Sequence, residues 1–189
     1  RAPTCYDYHS ANGLLVFQVV RAEGKRFFQR RPDGMGGWIN DMKSVKRVLY
    51  HLPEVIAAVA TGQVVWCVEG EKDTDNLRAL ELCATTNAGG AGKWLESYTA
   101  ALTGADVVIL PDNDDPGRAH AEQVAAALAG KARSVRILAL PDLPEHGDVS
   151  DWLAAGGARE ELETLAGAVK PSTGNPVAAE NTVLSDYTN

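Results

Sequence analysis

An α/β fold is what this sequence predicts: a central parallel sheet flanked by helices, preceded by a small antiparallel β subdomain. Three observations predict it. From residue 61 onward, short apolar β-branched runs alternate with helical stretches at the spacing of βαβ units. Two of those runs, 64–68 and 105–110, end in acidic clusters that contain a glycine at the turn into a helix. In front of them, residues 6–31 carry hairpin chemistry: Asn12-Gly13 is a strong short-range turn signal, and Ala22-Glu23-Gly24 separates two further extended runs.

The elements follow in order. Strands are expected at 6–9, 13–20 and 25–31, then a loop at 32–37 rich in glycine. Pro53-Glu54 opens a short helix to about Ala60, with proline at a first-turn position. Parallel strands are expected at 64–68, 84–87, 106–110 and 134–139, and helices at 73–82, 92–102, 116–129, 149–155 and 158–169. Asp73 or Thr74 is the expected N-cap of the first of these helices. Asp115 with Pro116 starts the third, and Gly130 closes it. The organisation is therefore 1–60, a basic β-hairpin subdomain; 61–170, the α/β body; and 171–189, a linker or tail. A chain opening at Arg1 and ending in a linker reads as a piece of a larger protein.

The 189 residues are enough for one substantial core, and 45% hydrophobic with 23% charged residues is ordinary for a globular protein. No apolar run approaches the roughly 18 residues of a membrane span, so no membrane partner is expected. Cys5, Cys67 and Cys83 are scattered and odd in number, which suits a reducing cytoplasm and gives neither a zinc site nor a disulfide framework. The net charge of −7 argues against nucleic acid, but its distribution does not. Residues 1–60 hold nine Lys/Arg against five Asp/Glu, and residues 61–189 nine against twenty. A basic front joined to an acidic body suits guiding a polyanion toward a metal site, although a solvated basic hairpin has the same composition.

The motifs refine this. Glu69-Gly70 ends the first parallel strand, where a glutamate can act as base, acid or metal ligand, or simply sit in a surface loop. Asp112-Asn113-Asp114 places two carboxylates two residues apart. In an extended segment they would point the same way and reach one cation or a pair. The competing reading, an Asx-rich helix cap, is expected to fall to Asp115, leaving Asp112 and Asp114 for chemistry. Asp148-Val149-Ser150-Asp151 brings a third acidic turn, in which Asp148 or Ser150 would cap a helix, or Asp148, with Asp151 as a second candidate, would stand at a second metal position. Asn87 to Lys93 is a glycine-rich strand-to-helix turn that would suit an anion, but Trp94 after Lys93 rules out a P-loop.

Taken together, a strand ending in Glu69-Gly70 and a strand ending in Asp112-x-Asp114, with Gly117 three residues on, resemble the Toprim domain over residues 62–155. That module is shared by bacterial and phage primases, topoisomerases, OLD-type nucleases and recombination mediators. Val68 to Asp73, Leu110 to Gly117 and Gly147 to Leu153 are most similar to the segments of phage and plasmid primases and primase–helicases. Asp148 and Asp151 stand one residue further apart than the Asp-x-Asp of bacterial primase.

The resemblance implies a Toprim, Rossmann-like, sheet and a DNA primase core that joins ribonucleotides on a single-stranded DNA template. It implies Mg²⁺ or Mn²⁺, two ions, held by Glu69, Asp112, Asp114 and Asp148, with Glu69, Asp112 and Asp114 as the catalytic acids. Lys72 and Lys93 would neutralise the triphosphate. Arg21, Lys25, Arg26, Arg30 and Arg31 would line the template path. Helicase and zinc-binding modules are expected outside this chain. The rival readings are an OLD-type metal-dependent nuclease and a non-catalytic Toprim binding module.

Overall fold

The computed structural model describes residues 2–172. Residues 173–189, which hold most of the expected tail, Arg1 and the side chain of Lys25 lie outside the described residues.

Two four-stranded sheets make up the molecule. The first is antiparallel, in the order β1 (Thr4–His9), β2 (Leu15–Ala22), β3 (Arg26–Pro32) and β4 (Trp38–Ile39). The Asn12-Gly13 hairpin forms as expected: the Ser10 N–H donates to the Leu14 carbonyl at 2.8 Å. The short strand β4 follows the glycine-rich segment. One face of β1 and β2 presents Tyr6, Tyr8, Phe17 and Val19, all buried, with Tyr8 stacked on Phe17 at 4.3 Å between ring centroids. These side chains share a core with the second sheet, so the two units form one continuous interior.

The second sheet is wholly parallel, in the order β6 (Cys83–Thr85), β5 (Val64–Cys67), β7 (Asp106–Ile109) and β8 (Ser134–Ile137). Its strands are apolar on both faces, as burial between two helical layers requires. Val65, Cys67, Val107 and Ile109 pack with α1 (Leu52–Thr61), α3 (Glu96–Ala101) and α4 (Asp115–Leu128). Trp66, Val68, Val108 and Leu110 pack with α2 (Glu71–Ala79), α5 (Val149–Ala154) and α6 (Arg159–Ala168). Helix α1, assigned from sequence to the N-terminal unit, lies against β5 and β6 of the body.

Four local expectations are corrected. Helix α2 starts at Glu71 with Gly70 as N-cap, so Asp73 and Thr74 lie inside its first turn. Asp114, not Asp115, caps α4, accepting the Gly117 N–H. The carboxylate one residue earlier reaches the free amides of the first turn because Asp114 is extended. Helix α3 starts at Glu96 rather than at 92, so the glycine-rich turn does not abut a helix N-terminus. Ser172, read as tail, donates its N–H to the Val135 carbonyl at 2.8 Å.

Candidate active site

Strands β5 and β7 are neighbours in parallel register, Cys67 beside Ile109, so the loops that leave their carboxyl ends must lie side by side. That single fact brings Glu69 to Asp112: a Glu69 carboxylate oxygen accepts the Asp112 N–H at 3.3 Å. Helix α4 enters close beneath them. A Cβ built on Gly117 would lie 2.5 Å from Glu69 Oε1 and 2.6 Å from the Asp112 carbonyl oxygen, so only glycine admits this approach.

Asp112 and Asp114 are not the parallel pair that an extended strand would give. The Asp114 N–H donates to the Asp112 carbonyl at 2.8 Å, which turns the chain at Asn113. Asp114 is then committed to other partners. Its Oδ1 accepts the Gly117 N–H at 2.8 Å, and its Oδ2 lies 3.2 Å from His146 Nδ1. The helix amide and the imidazole both hold its carboxyl below the usual range.

Asp112 behaves in the opposite way. Burial raises its carboxyl to about 7, and the fields of Glu69, Asp73, Asp148 and Asp114 push in the same direction. Burial likewise raises Glu69, with Asp114 and Asp73 adding to the effect. Asp148 caps α5 through a capping box with Asp151 and lies 3.9 Å from Lys72 Nζ. The structure thus gathers Glu69, Asp112, Asp114 and Asp148 at the carboxyl edge of the sheet, with Lys72 beside them.

One acid of this group escaped assignment from the sequence. Asp73 is buried in the first turn of α2 and its carboxyl is raised, first by burial and then by Asp148. It accepts the hydroxyl of Ser150, whose own oxygen accepts the Asn76 amide at 2.6 Å. In sequence it looked like a helix cap; once the helix starts at Glu71, a residue at the third position of the helix turns inward.

The expected cations divide. Lys93 is exposed on the loop that follows Asn87. That loop is fastened to α4: the Gly92 N–H donates to His120 Nδ1 at 3.1 Å, which leaves the proton on Nε2 to donate to Asn87 Oδ1 at 3.2 Å. Burial lowers the His120 pKa from its ordinary value. The loop and α4 flank a narrow cleft lined by Glu69, Asn87, Trp94, Gly117 and His120. On the antiparallel sheet the arginines do not form one patch. Arg26 pairs with Ala22 and Arg30 with Gln18 on one face. Arg21, opposite Phe27, and Arg31 sit on the other. Arg30 is held by Gln18 at 2.7 Å and stacks 4.2 Å over Trp38, while Arg31 pairs with Asp41 at 3.0 Å.

The donors at the sheet edge are all carboxylate oxygens, the chemistry that hard cations such as Mg²⁺ require. Buried like charges around Asp112 are the environment a divalent ion would relieve. Among the described residues, no three His, Cys, Asp or Glu side chains stand as a group able to hold one ion. The acids share a field rather than a single point, so ion binding requires side-chain rotation.

No protein-family model matches the chain, and no curated protein matches it. Solved structures do share its fold. The zinc-binding and RNA polymerase domains of the Aquifex aeolicus primase match with a TM-score of 0.68 and 20% identity, covering 90% of this chain and 41% of that one. A DNA primase domain from Pseudomonas aeruginosa matches with a TM-score of 0.67 and 19% identity, covering 90% and 52%. The primase fragment of the bacteriophage T7 primase-helicase matches with a TM-score of 0.58 and 23% identity, covering 85% and 60%. The chain therefore has the fold of a primase catalytic core, both sheets included, and spans about half the length of these structures.

Proposed function

We propose that this chain is the catalytic core of a DNA primase of the phage and plasmid type, a metal-dependent nucleotidyltransferase that joins ribonucleotides on single-stranded DNA. The observation that carries the proposal is Asp112. It is a partly buried carboxyl at the end of β7, raised to about 7 by burial and by four neighbouring acids drawn from three separate turns. Strongly perturbed groups of this kind cluster at functional sites. A merely structural acid here would carry a counter-charge, as others in the molecule do.

Asp112, Asp148 and Asp73 would hold Mg²⁺ or Mn²⁺, with Glu69 orienting the Asp112 turn and able to take a proton. Asp114 enters the metal set only by releasing His146; as placed, it is a positioning residue. When two ions are bound, they supply the clamp on attacking and leaving oxygens that in-line phosphoryl displacement needs. Lys72, freed from Asp148, and Lys93 would meet the triphosphate. Arg26 and Arg30, which share one face of the antiparallel sheet, would meet the template; Arg21 and Arg31 lie on the other face, Arg31 paired with Asp41. One solved neighbour is a primase catalytic domain bound to single-stranded DNA. Others carry zinc-binding or helicase partners in the same protein, which supports such modules as partners of this chain.

The test is primer synthesis from labelled ribonucleotides on single-stranded DNA with Mg²⁺ or Mn²⁺. Asp112→Ala should lower synthesis on the order of 10²-fold or more while the thermal melt stays cooperative. Undiminished synthesis in the variant rejects the reading. Cleavage of labelled DNA without synthesis transfers the site to nuclease chemistry.

A further inference from the structure

Asn113 uses every polar group it has on one neighbouring loop and one arginine. Its side-chain amide donates to the carbonyls of Leu143 and Pro144 at 2.9 and 3.0 Å. Its backbone N–H donates to the Gly147 carbonyl at 2.9 Å, and its own carbonyl accepts the His146 N–H at 3.0 Å. Its side-chain oxygen accepts from Arg118 at 3.2 Å, which fixes which end of the amide faces the loop. The other side of the joint is equally constrained. Gly147 donates to the Pro144 carbonyl at 2.9 Å, and a Cβ there would meet Pro144 Cδ at 2.8 Å.

The position of this joint matters more than its number of bonds. It pairs residue 113 with residue 147, and the next residue outward on each strand of the pairing is an acid: Asp112 on one side, Asp148 on the other. The loop from 141 to 147 carries no helix or strand and lies mostly exposed. Asp148 is held from its C-terminal side by α5, whose Val149 and Trp152 share a core cluster with Val108 of β7 and Leu110 just past it. From its N-terminal side the Asn113 joint is the direct polar tie to the 112–114 turn. Helix capping explains Asp114 and Asp148, but no cap uses Asn113.

We infer that Asn113 is the positioning residue that sets the separation of Asp112 and Asp148, and through it the affinity of the site for divalent cations. This rests on the functional reading above. An amide is required because the two carbonyls of Leu143 and Pro144 need donors, which a carboxylate or an alkyl side chain lacks. Groups that orient metal ligands from behind typically change metal affinity 10–100-fold when removed.

The experiment is Mn²⁺ titration of the whole chain, read by electron paramagnetic resonance of the free ion, with hydrogen exchange of the 143–148 amides in parallel. Asn113→Ala should raise the Mn²⁺ dissociation constant about tenfold and speed exchange at His146 and Gly147, with the melting temperature within a few degrees of the parent. Asn113→Asp should be at least as weak, because it sets a charge against two carbonyls. An unchanged dissociation constant in Asn113→Ala overturns the inference. Should that variant fail to fold, Arg118→Ala removes the bond that orients the amide together with an exposed pair to Asp115; a few-fold loss that Asp115→Ala does not share supports the inference, and no loss, or the same loss in Asp115→Ala, overturns it. A parent chain that binds no Mn²⁺, or an Asp112→Asn variant that binds it as well as the parent, overturns the functional reading instead.

Discussion

The two ends of strand β7 carry aspartates treated in opposite ways. At its start, Asp106 accepts from Arg133 Nε at 3.0 Å and from the Ser134 hydroxyl at 2.7 Å, and its carboxyl is held below the usual range, by Arg133 first. Just past its end, among the described residues, Asp112 has no arginine and no hydroxyl, only other acids and partial burial, and its carboxyl rises to about 7. The same strand thus delivers a neutralised charge at one edge of the sheet and an uncompensated one at the other. Stability alone would favour the first arrangement everywhere. An unbalanced cluster at the carboxyl edge, where open α/β sheets bind ligands, is what the proposed cation site would cost the fold.

The largest effect should come from closing the space beside the uncompensated end. Gly117→Ala puts a methyl group against Glu69 Oε1, the Asp112 carbonyl and the Asp112 N–H, the last at 3.0 Å. Two of those atoms are backbone and cannot swing away. The turn must move, so primer synthesis should fall by about 10²-fold or more, since displacing catalytic groups by about 1 Å has that cost. The helix itself gains propensity from alanine, so a lost activity with an intact melt would mark displacement rather than unfolding. Activity within a factor of two of the parent would show that the Glu69–Asp112 contact is not needed.

Next in size is a pH effect confined to the uncompensated end. Asp112 binds its proton more tightly folded than unfolded, where its pKa is near 3.8. Its contribution to stability is fully present below about pH 4 and is lost as the pH rises through about 7. A wholly buried group shifted this far would contribute about 4 kcal/mol. Asp112 is only partly buried, so solvent screening reduces this to on the order of 1–2 kcal/mol. Denaturant titrations of metal-free protein at pH 4 and pH 8 should show that loss in the parent and less of it in Asp112→Asn. Added Mg²⁺ should restore stability at pH 8 in the parent only. A variant as pH-sensitive as the parent would remove Asp112 as the source.

Much of this contrast was legible in the sequence. The β-branched runs at 64–68 and 106–110 gave the two central strands, and parallel pairing makes their carboxyl ends converge. What could not be read was which group each polar atom would choose. Asp114 lost its freedom because α4 starts one residue earlier than Pro116 suggested. Asp73 gained a place in the site because α2 starts at Glu71 and turns it inward. Asn113 looked like a spacer between two acids, since its partners lie some thirty residues away at 143–147. The split of the arginines was partly readable: Arg30 and Arg31 are adjacent in a strand and must face opposite ways. That Arg21 joins Arg31 rather than Arg30 depends on the hairpin register.

The smallest effect belongs to the compensated end, and it sharpens the contrast by its direction. Arg133→Ala removes a half-exposed partner from Asp106, which keeps its bond from Ser134. Exposed pairs of this kind contribute about 0.2–1 kcal/mol, so the melt should fall slightly and primer synthesis should not change. The pH dependence should run opposite to that of Asp112. A carboxyl held low contributes stability above its unfolded pKa near 3.8 and loses it as the pH falls through the folded value. Arg133→Ala should therefore narrow its gap from the parent below about pH 4 and show it fully at pH 6. It should also lose sensitivity to salt, which screens the pair in the parent. A gap that grows toward acid pH, or a loss of synthesis, would mean that the two ends of β7 are coupled and that charge at one edge of the sheet is not set independently of the other.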